Sequence, residues 1–271
     1  MPRRPLWARA FVAVHLSAVL APLSVIAVWA FATRWAWPDL VPAGLTGRGV
    51  DLVLSGGQGA GVACIGLSVG IALASAALTT CTAALAARAI CCHAWPGRRL
   101  FQFATLLPFL VPTTVFAMGV QVAFIRAGLS STVAGVVLAH AVVSLPYAVA
   151  IMCDVTRGAG RRLEEAARAL GAGRIRTLWS VTLPGLAPGI VSSMSMCYIL
   201  SFSQYFLTLL IGGGQVKTFA LVLFPYLSGG DRTVAAAYGL AFILVTLAVF
   251  ALFELLLRKV RPVEAQELYA S

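Results

Sequence analysis

Six stretches of the chain, 11–32, 62–87, 103–125, 133–153, 186–211 and 234–253, carry no Asp, Glu, Lys or Arg. Each reaches the roughly 20 residues that a helix needs to cross the hydrocarbon of a bilayer. The pattern predicts six transmembrane α-helices, because a segment in lipid has to satisfy its own backbone hydrogen bonds. Barrel strands would alternate polar and apolar positions instead of forming unbroken apolar runs. The first run follows Arg3, Arg4 and Arg9 and ends near Ala30-Phe31-Ala32, a layout superficially like a cleaved leader. Its apolar stretch is too long for one, and a retained first span is expected.

Composition narrows the class further. Hydrophobic residues make up 60% and charged residues 11% of 271 positions, and the mean hydropathy of +0.93 excludes an ordinary soluble enzyme. The net charge of +11 comes from 20 Lys and Arg against 9 Asp and Glu. Fifteen of those cations fall in 1–10, 88–102, 154–185 and 254–271, while the alternate loops hold Arg34, Arg48, Arg126, Lys217 and Arg232. The positive-inside rule then puts both termini in the cytoplasm. The basic excess sets orientation, and no nucleic-acid partner is expected. The tryptophans at 7, 29, 35, 37, 95 and 179 lie at or near the ends of the runs, as indole rings at a headgroup boundary do.

Small residues in the second run, including Gly66 and Gly70 and the alanine-rich 72–87, predict close helix packing. Pro108, Pro112 and Pro146 should kink the third and fourth spans. The six cysteines form no Cys-x-x-Cys pair, and Cys91-Cys92-His93 has no complementary cluster, so neither a disulfide framework nor a metal site is read.

The most informative segment is the charged loop 154–185. Leu163, Ala166, Ala167 and Leu170 fall at i, i+3, i+4 and i+7, one apolar stripe of a short helix. Glu164 and Glu165 suit its first turn and Gly171 its C-terminal cap. Ile175, Leu178, Trp179 and Thr182 repeat the spacing before Leu183-Pro184 closes the segment, giving helix, break, helix. Helices this short do not stand alone in water. The bundle or a cytoplasmic partner could hold them, or the basic loop could lie on lipid headgroups.

Glu165-Ala166-Ala167, three residues, Gly171, nine residues, then Val181-Thr182-Leu183-Pro184 resembles the EAA motif of inner-membrane permeases of binding-protein-dependent ABC importers, the MetI-like family. Val181, where the family commonly has isoleucine, is the one departure. The resemblance implies an all-α membrane protein, a six-transmembrane-helix bundle forming a single permease domain over 1–271. A cytoplasmic coupling helix would lie between spans 4 and 5. It further implies that Glu165, Ala166, Ala167, Leu170, Gly171, Leu183 and Pro184 couple the chain to a separate cytoplasmic ABC ATPase. The other implied partners are a second permease subunit, the same or related, and an extracytoplasmic solute-binding protein, in a bacterial inner membrane. ATP and Mg would be used by the ATPase and no cofactor by this chain. Indeed neither Lys217 nor Lys259 follows glycine, so the Gly-x-x-x-x-Gly-Lys-Ser/Thr phosphate loop is missing.

Polar groups inside the spans mark candidate pathway positions, because they are costly unless paired or facing a cavity. These are Gln121, His140, Ser144, Ser201, Gln204 and Tyr205, with Ser201, Gln204 and Tyr205 expected on one helical face. The competing role for each is an interhelical hydrogen bond. Glu254, four residues before Arg258, reads as a surface pair. With no acid in mid-span, a proton- or sodium-coupled secondary carrier is disfavoured. A membrane-embedded enzyme lacks any recognisable catalytic constellation. The run 219–227 is apolar but too short to span, and with the 35–61 loop it would meet a receptor protein outside. The stretch 201–214 weakly resembles permeases of the polyamine, ferric iron and thiamine branch.

Overall fold

The computed structural model describes residues 6–35, 38–56 and 61–260. Arg3, Arg4, Trp37 and the end of the chain lie outside the described residues. Twelve α-helices follow in order: α1 (Leu6–Ala30), α2 (Arg48–Ser55), α3 (Gly61–Cys92), α4 (Arg98–Leu110), α5 (Thr113–Arg126), α6 (Val133–Ala159), α7 (Arg162–Ala169), α8 (Arg174–Thr177), α9 (Leu183–Phe202), α10 (Phe206–Gly212), α11 (Phe219–Gly229) and α12 (Arg232–Val260). A π-helical turn, Leu178–Thr182, joins α8 to α9. Among the described residues, five helices are long and apolar enough to cross a membrane, and the bent pair α4–α5 makes a sixth if taken as one span.

Two of the expected spans differ from a continuous helix. The third is interrupted: α4 and α5 meet at 107°. Pro112 disfavours helical backbone at the residue before it, and Val111 is extended with ψ 130°. Helices α4 and α6 run on through Pro108 and Pro146. The fifth span ends at Phe202 rather than Ile211. The Ser203 hydroxyl donates back to the carbonyls of Ile199 (2.8 Å) and Leu200 (3.2 Å), and a new short helix, α10, starts at Phe206. Conversely, Leu183-Pro184 does not close the second helix of the loop. Helix runs from Arg174 to Phe202, with the Leu183 N–H bonding the Leu178 carbonyl in the wider π turn just ahead of Pro184.

By backbone contacts the described residues form two compact units, one of residues up to 65 with 222–245 and the other of 66–221 with 246 onward. In the larger unit α3 turns a stripe of buried small residues, Ala72, Ser75, Ala76, Thr79, Ala83 and Ala87, inward. Ser75 and Thr79 donate to the Val137 and Ala141 carbonyls of α6, and Thr80 meets Ser193 of α9 at 3.0 Å. Gly66 and Gly70 do not carry this packing, since an added Cβ at either would meet nothing within 4 Å. Helix α9 crosses α6 so closely at Gly189 that a Cβ there would lie 2.9 Å from Val155 Cβ. Ile71, Ala117, Val136, Ala139, Leu207 and Ile211 form an apolar core where α3, α5, α6 and α10 converge.

In the smaller unit, the Thr233 hydroxyl donates to the Ala32 carbonyl at 2.8 Å and Arg48 pairs with Asp231. The Arg232 guanidinium lies 5.3 Å from the Trp29 ring centre, within cation–π range.

Candidate functional site

The loop between α6 and α9 folds close to expectation at the level of backbone, and the structure shows which of its faces are buried. Helix α7 is eight residues long. Gly171, at φ +85°, adopts a left-handed conformation that L side chains resist. Around it the Ala172 N–H reaches the Ala167 carbonyl and the Gly171 N–H reaches that of Arg168, both at 2.9 Å, a Schellman cap that reverses the chain.

The apolar stripe turns away from the protein. Leu170 is 89% exposed, Leu163 and Ala166 are also exposed, and Ala167 is half-buried. Ile175 and Trp179, on the segment that follows, are exposed as well. A stripe of this kind on a basic, charged loop offers an apolar surface for contact, since burying an exposed leucine gains about 25 cal/mol per Å².

The buried face of α7 instead carries a carboxylate. Glu164, 8% exposed, accepts a bidentate pair from Arg88 at the end of α3, Nη1 to Oε1 at 2.7 Å and Nη2 to Oε2 at 3.1 Å. The Thr182 hydroxyl of the π turn donates to the same Oε1 at 2.7 Å. The hydrogen bond from Arg88 is the main cause that lowers the Glu164 pKa to about 2; burial opposes it, and the Thr182 hydroxyl assists. A second tie to α3 runs from Arg161 Nη1 to the Cys92 carbonyl at 2.8 Å. Glu165, the acid singled out by the motif, is exposed, and Arg161 Nε stands 3.7 Å away, beyond hydrogen-bond range. Glu164 and Arg88 are the residues that the sequence reading missed. One signal was available: if the apolar stripe of α7 serves a partner, a face beside it must meet its own bundle, and Glu164, about 110° round the helix from the stripe's centre, is placed to do so.

The polar residues inside the spans gather at the break between α9 and α10. His140 of α6 is buried, with Nδ1 2.8 Å from Ser201 Oγ and Nε2 3.0 Å from Thr208 Oγ1. Thr208 gives its hydroxyl proton to the Gln204 carbonyl at 2.8 Å, so it accepts from Nε2–H, and Nδ1 accepts from Ser201. Gln121 of α5 reaches the Leu210 carbonyl of α10 at 3.4 Å. Ser144 is buried one turn along α6 from His140, where its carbonyl faces the Cys197 thiol. Because α9 ends at Phe202, Ser201, Gln204 and Tyr205 do not share a helical face: Ser201 is buried on α9, and Gln204 and Tyr205 lie in the break. Thr208, the second partner of His140, was not anticipated. The arrangement joins α6, α9 and α10 through saturated hydrogen bonds.

At the end of α3, Trp95 Nε1 donates to the Ala89 carbonyl at 3.1 Å, and near the end of α12 Arg258 pairs with Glu254 at 3.1 Å as the spacing predicts.

Comparison with known proteins agrees with this architecture. Residues 81–262 match the family described as "Binding-protein-dependent transport system inner membrane component". The chain is 30% identical over 190 residues to an ABC transporter permease protein of Streptomyces antibioticus, covering 70% of this chain and 83% of that one. It is 26% identical to the spermidine/putrescine transport system permease protein PotC of Haemophilus influenzae, over 71% of this chain and 75% of that one. To the sulfate transport system permease protein CysT of Salmonella typhimurium it is 26% identical, over 60% of this chain and 64% of that one. In fold it resembles a chain from the crystal structure of a bacterial ABC transporter involved in the import of the acidic polysaccharide alginate. That match has a TM-score of 0.68 at 16% identity and covers 94% of this chain and 99% of the other. The helical membrane architecture, the loop between α6 and α9 and these matches together place the chain in the MetI-like family of ABC importer permeases.

Proposed function

We propose that this chain is the membrane pathway of an ATP-driven importer, acting as a single permease domain without catalytic chemistry of its own. A separate cytoplasmic ABC ATPase docks on the outward stripe of α7, and Glu165, Ala166, Ala167, Leu170 and Gly171 meet it. Leu183 and Pro184 lead from that contact into α9. ATP and Mg are bound by the ATPase. A second permease subunit, the same or a related chain, completes the pathway, and an extracytoplasmic binding protein delivers the solute. Both termini lie in the cytoplasm of a bacterial inner membrane. Closure of the ATPase pair would move the docked helices and switch the spans between inward-open and outward-open arrangements.

The observation that carries this reading is the exposure of Leu163, Ala166 and Leu170 on a helix too short to stand alone. The spans carry no acid in mid-membrane. Relatives named for sulfate and for spermidine or putrescine handle ions of opposite charge, so we assign the choice of a small solute chiefly to the receptor protein. Gln121, His140, Ser144, Ser201, Gln204 and Tyr205 border the pathway as the groups that set its shape.

Purification from native membranes in mild detergent tests the reading. An ABC ATPase should co-purify and be lost when Leu170 is replaced by Asp. A chain that purifies alone and supports solute flux in vesicles without ATP would be a secondary carrier.

A further inference from the structure

We infer that Arg88 is a positioning residue that locks the docking helix to the membrane spans, so that force applied to α7 reaches α3 and α9 together. The inference rests on the ATPase-docking reading given above. It starts from what holds α7. By backbone packing α7 lies against α8 and the π turn, the segments that follow it in the chain. Contacts of that kind are local, and a helix of eight residues held only by them could pivot about Gly171.

The Arg88–Glu164–Thr182 cluster prevents the pivot. It joins three elements at one carboxylate: the end of α3, the buried face of α7 and the turn that continues directly into α9. The planar fork of Arg fits a carboxylate in one orientation, so the pair fixes rotation as well as distance. An apolar contact at the same place could slide.

Exposure separates this pair from the others. The Arg88 and Glu164 side chains are 27% and 11% exposed, whereas those of Arg157 and Asp154 are 53% and 78% exposed and those of Arg258 and Glu254 are 74% and 57% exposed. Pairs of the last kind contribute little. The clamped carboxylate lies about 110° round α7 from the centre of the apolar stripe, on an adjoining face, so a partner can grip the exposed leucines while Glu164 stays bolted to the spans.

The test uses the complex co-purified with its ATPase, with five native cysteines replaced and a spin label on Cys81, an exposed position of α3. In the chain with Arg88 and Glu164 intact, adding MgATP changes the label's environment. In Arg88→Leu and Glu164→Gln, ATP hydrolysis continues, but the ATP-driven change at Cys81 falls roughly five-fold or more. Arg88→Lys, which keeps the charge and loses the fork, lies between. A change of undiminished size in Arg88→Leu, or no ATP-driven change with the clamp intact, overturns the proposal.

Should Arg88→Leu fail to fold, a second measurement decides. Labels at Leu85→Cys on α3 and Arg162→Cys on α7, in an otherwise clamped chain free of native cysteines, keep one separation with and without MgATP, and a separation that changes rejects the lock. Failure of the importer reading looks different, because no ATPase co-purifies with the native chain at all.

Discussion

His140 and Ser201 lie 61 positions apart and meet at 2.8 Å between α6 and the last turn of α9. With Thr208 on the other ring nitrogen, the imidazole ties the end of one helix to the start of the next. Replacing Ser201 by Ala leaves Nδ1 buried without a donor, and the loss should be about 1–3 kcal/mol of stability. Thermal unfolding of the purified chain in detergent measures it. An unchanged midpoint would mean that water takes the place of the hydroxyl without cost.

Leu170→Asp separates docking from folding. The residue is 89% exposed, so stability should stay within about 0.5 kcal/mol of the native chain. The amount of co-purified ATPase should nevertheless fall roughly ten-fold or more, as expected of a side chain at the centre of a contact. Equal losses of stability and of ATPase would show that Leu170 supports the permease fold instead.

Gly189 tests the crossing of α9 on α6. A Cβ there would press on Val155 Cβ and Cγ2, both at 2.9 Å, against a helix that cannot back away. Gly189→Ala should cost about 1–3 kcal/mol through overpacking. Val155→Ala in the same chain removes the Cγ contacts and keeps the Cβ contact, so it should recover part of the loss, and absence of any recovery in unfolding measurements would place the strain elsewhere.

The clamp also makes a pH prediction. The Glu164 carboxyl binds its proton less tightly in the folded chain, near pH 2, than at its ordinary value of 4.5. Its contribution is therefore full above about pH 4.5 and fades as the pH falls from there toward 2. The gap in unfolding midpoint between the native chain and Glu164→Gln should be constant from pH 7 to 5 and narrow below 4.5. A gap that stays the same at pH 3 would count against an ionised, clamped carboxylate.

Much of this molecule is legible without coordinates. Charge-free runs mark where the chain enters lipid, because an unpaired charge or backbone amide there is costly. The spacing of Leu163, Ala166, Ala167 and Leu170 together with Gly171 marks a short helix and its cap, and α7 forms there. Local chemistry misled where two effects compete at one place. Pro112 by itself predicts a kink within a span, yet the extended backbone at Val111 turns the chain through 107°. Ser203 lies inside the charge-free run 186–211, yet its hydroxyl captures two carbonyls at the end of α9.

By itself the sequence determined where the long apolar runs lie, which loops carry the positive charge and the existence of a capped amphipathic helix between α6 and α9. Those properties follow from hydropathy and backbone preference, which act over neighbouring residues. Only the tertiary structure decided that Glu164 rather than Glu165 is buried, that Arg88 holds it across 76 positions, and that His140 reaches Ser201 and Thr208. In a chain this apolar, one helical face reads alike whether it meets lipid, a neighbouring helix or another protein, and the few polar groups find their partners only once the helices have packed.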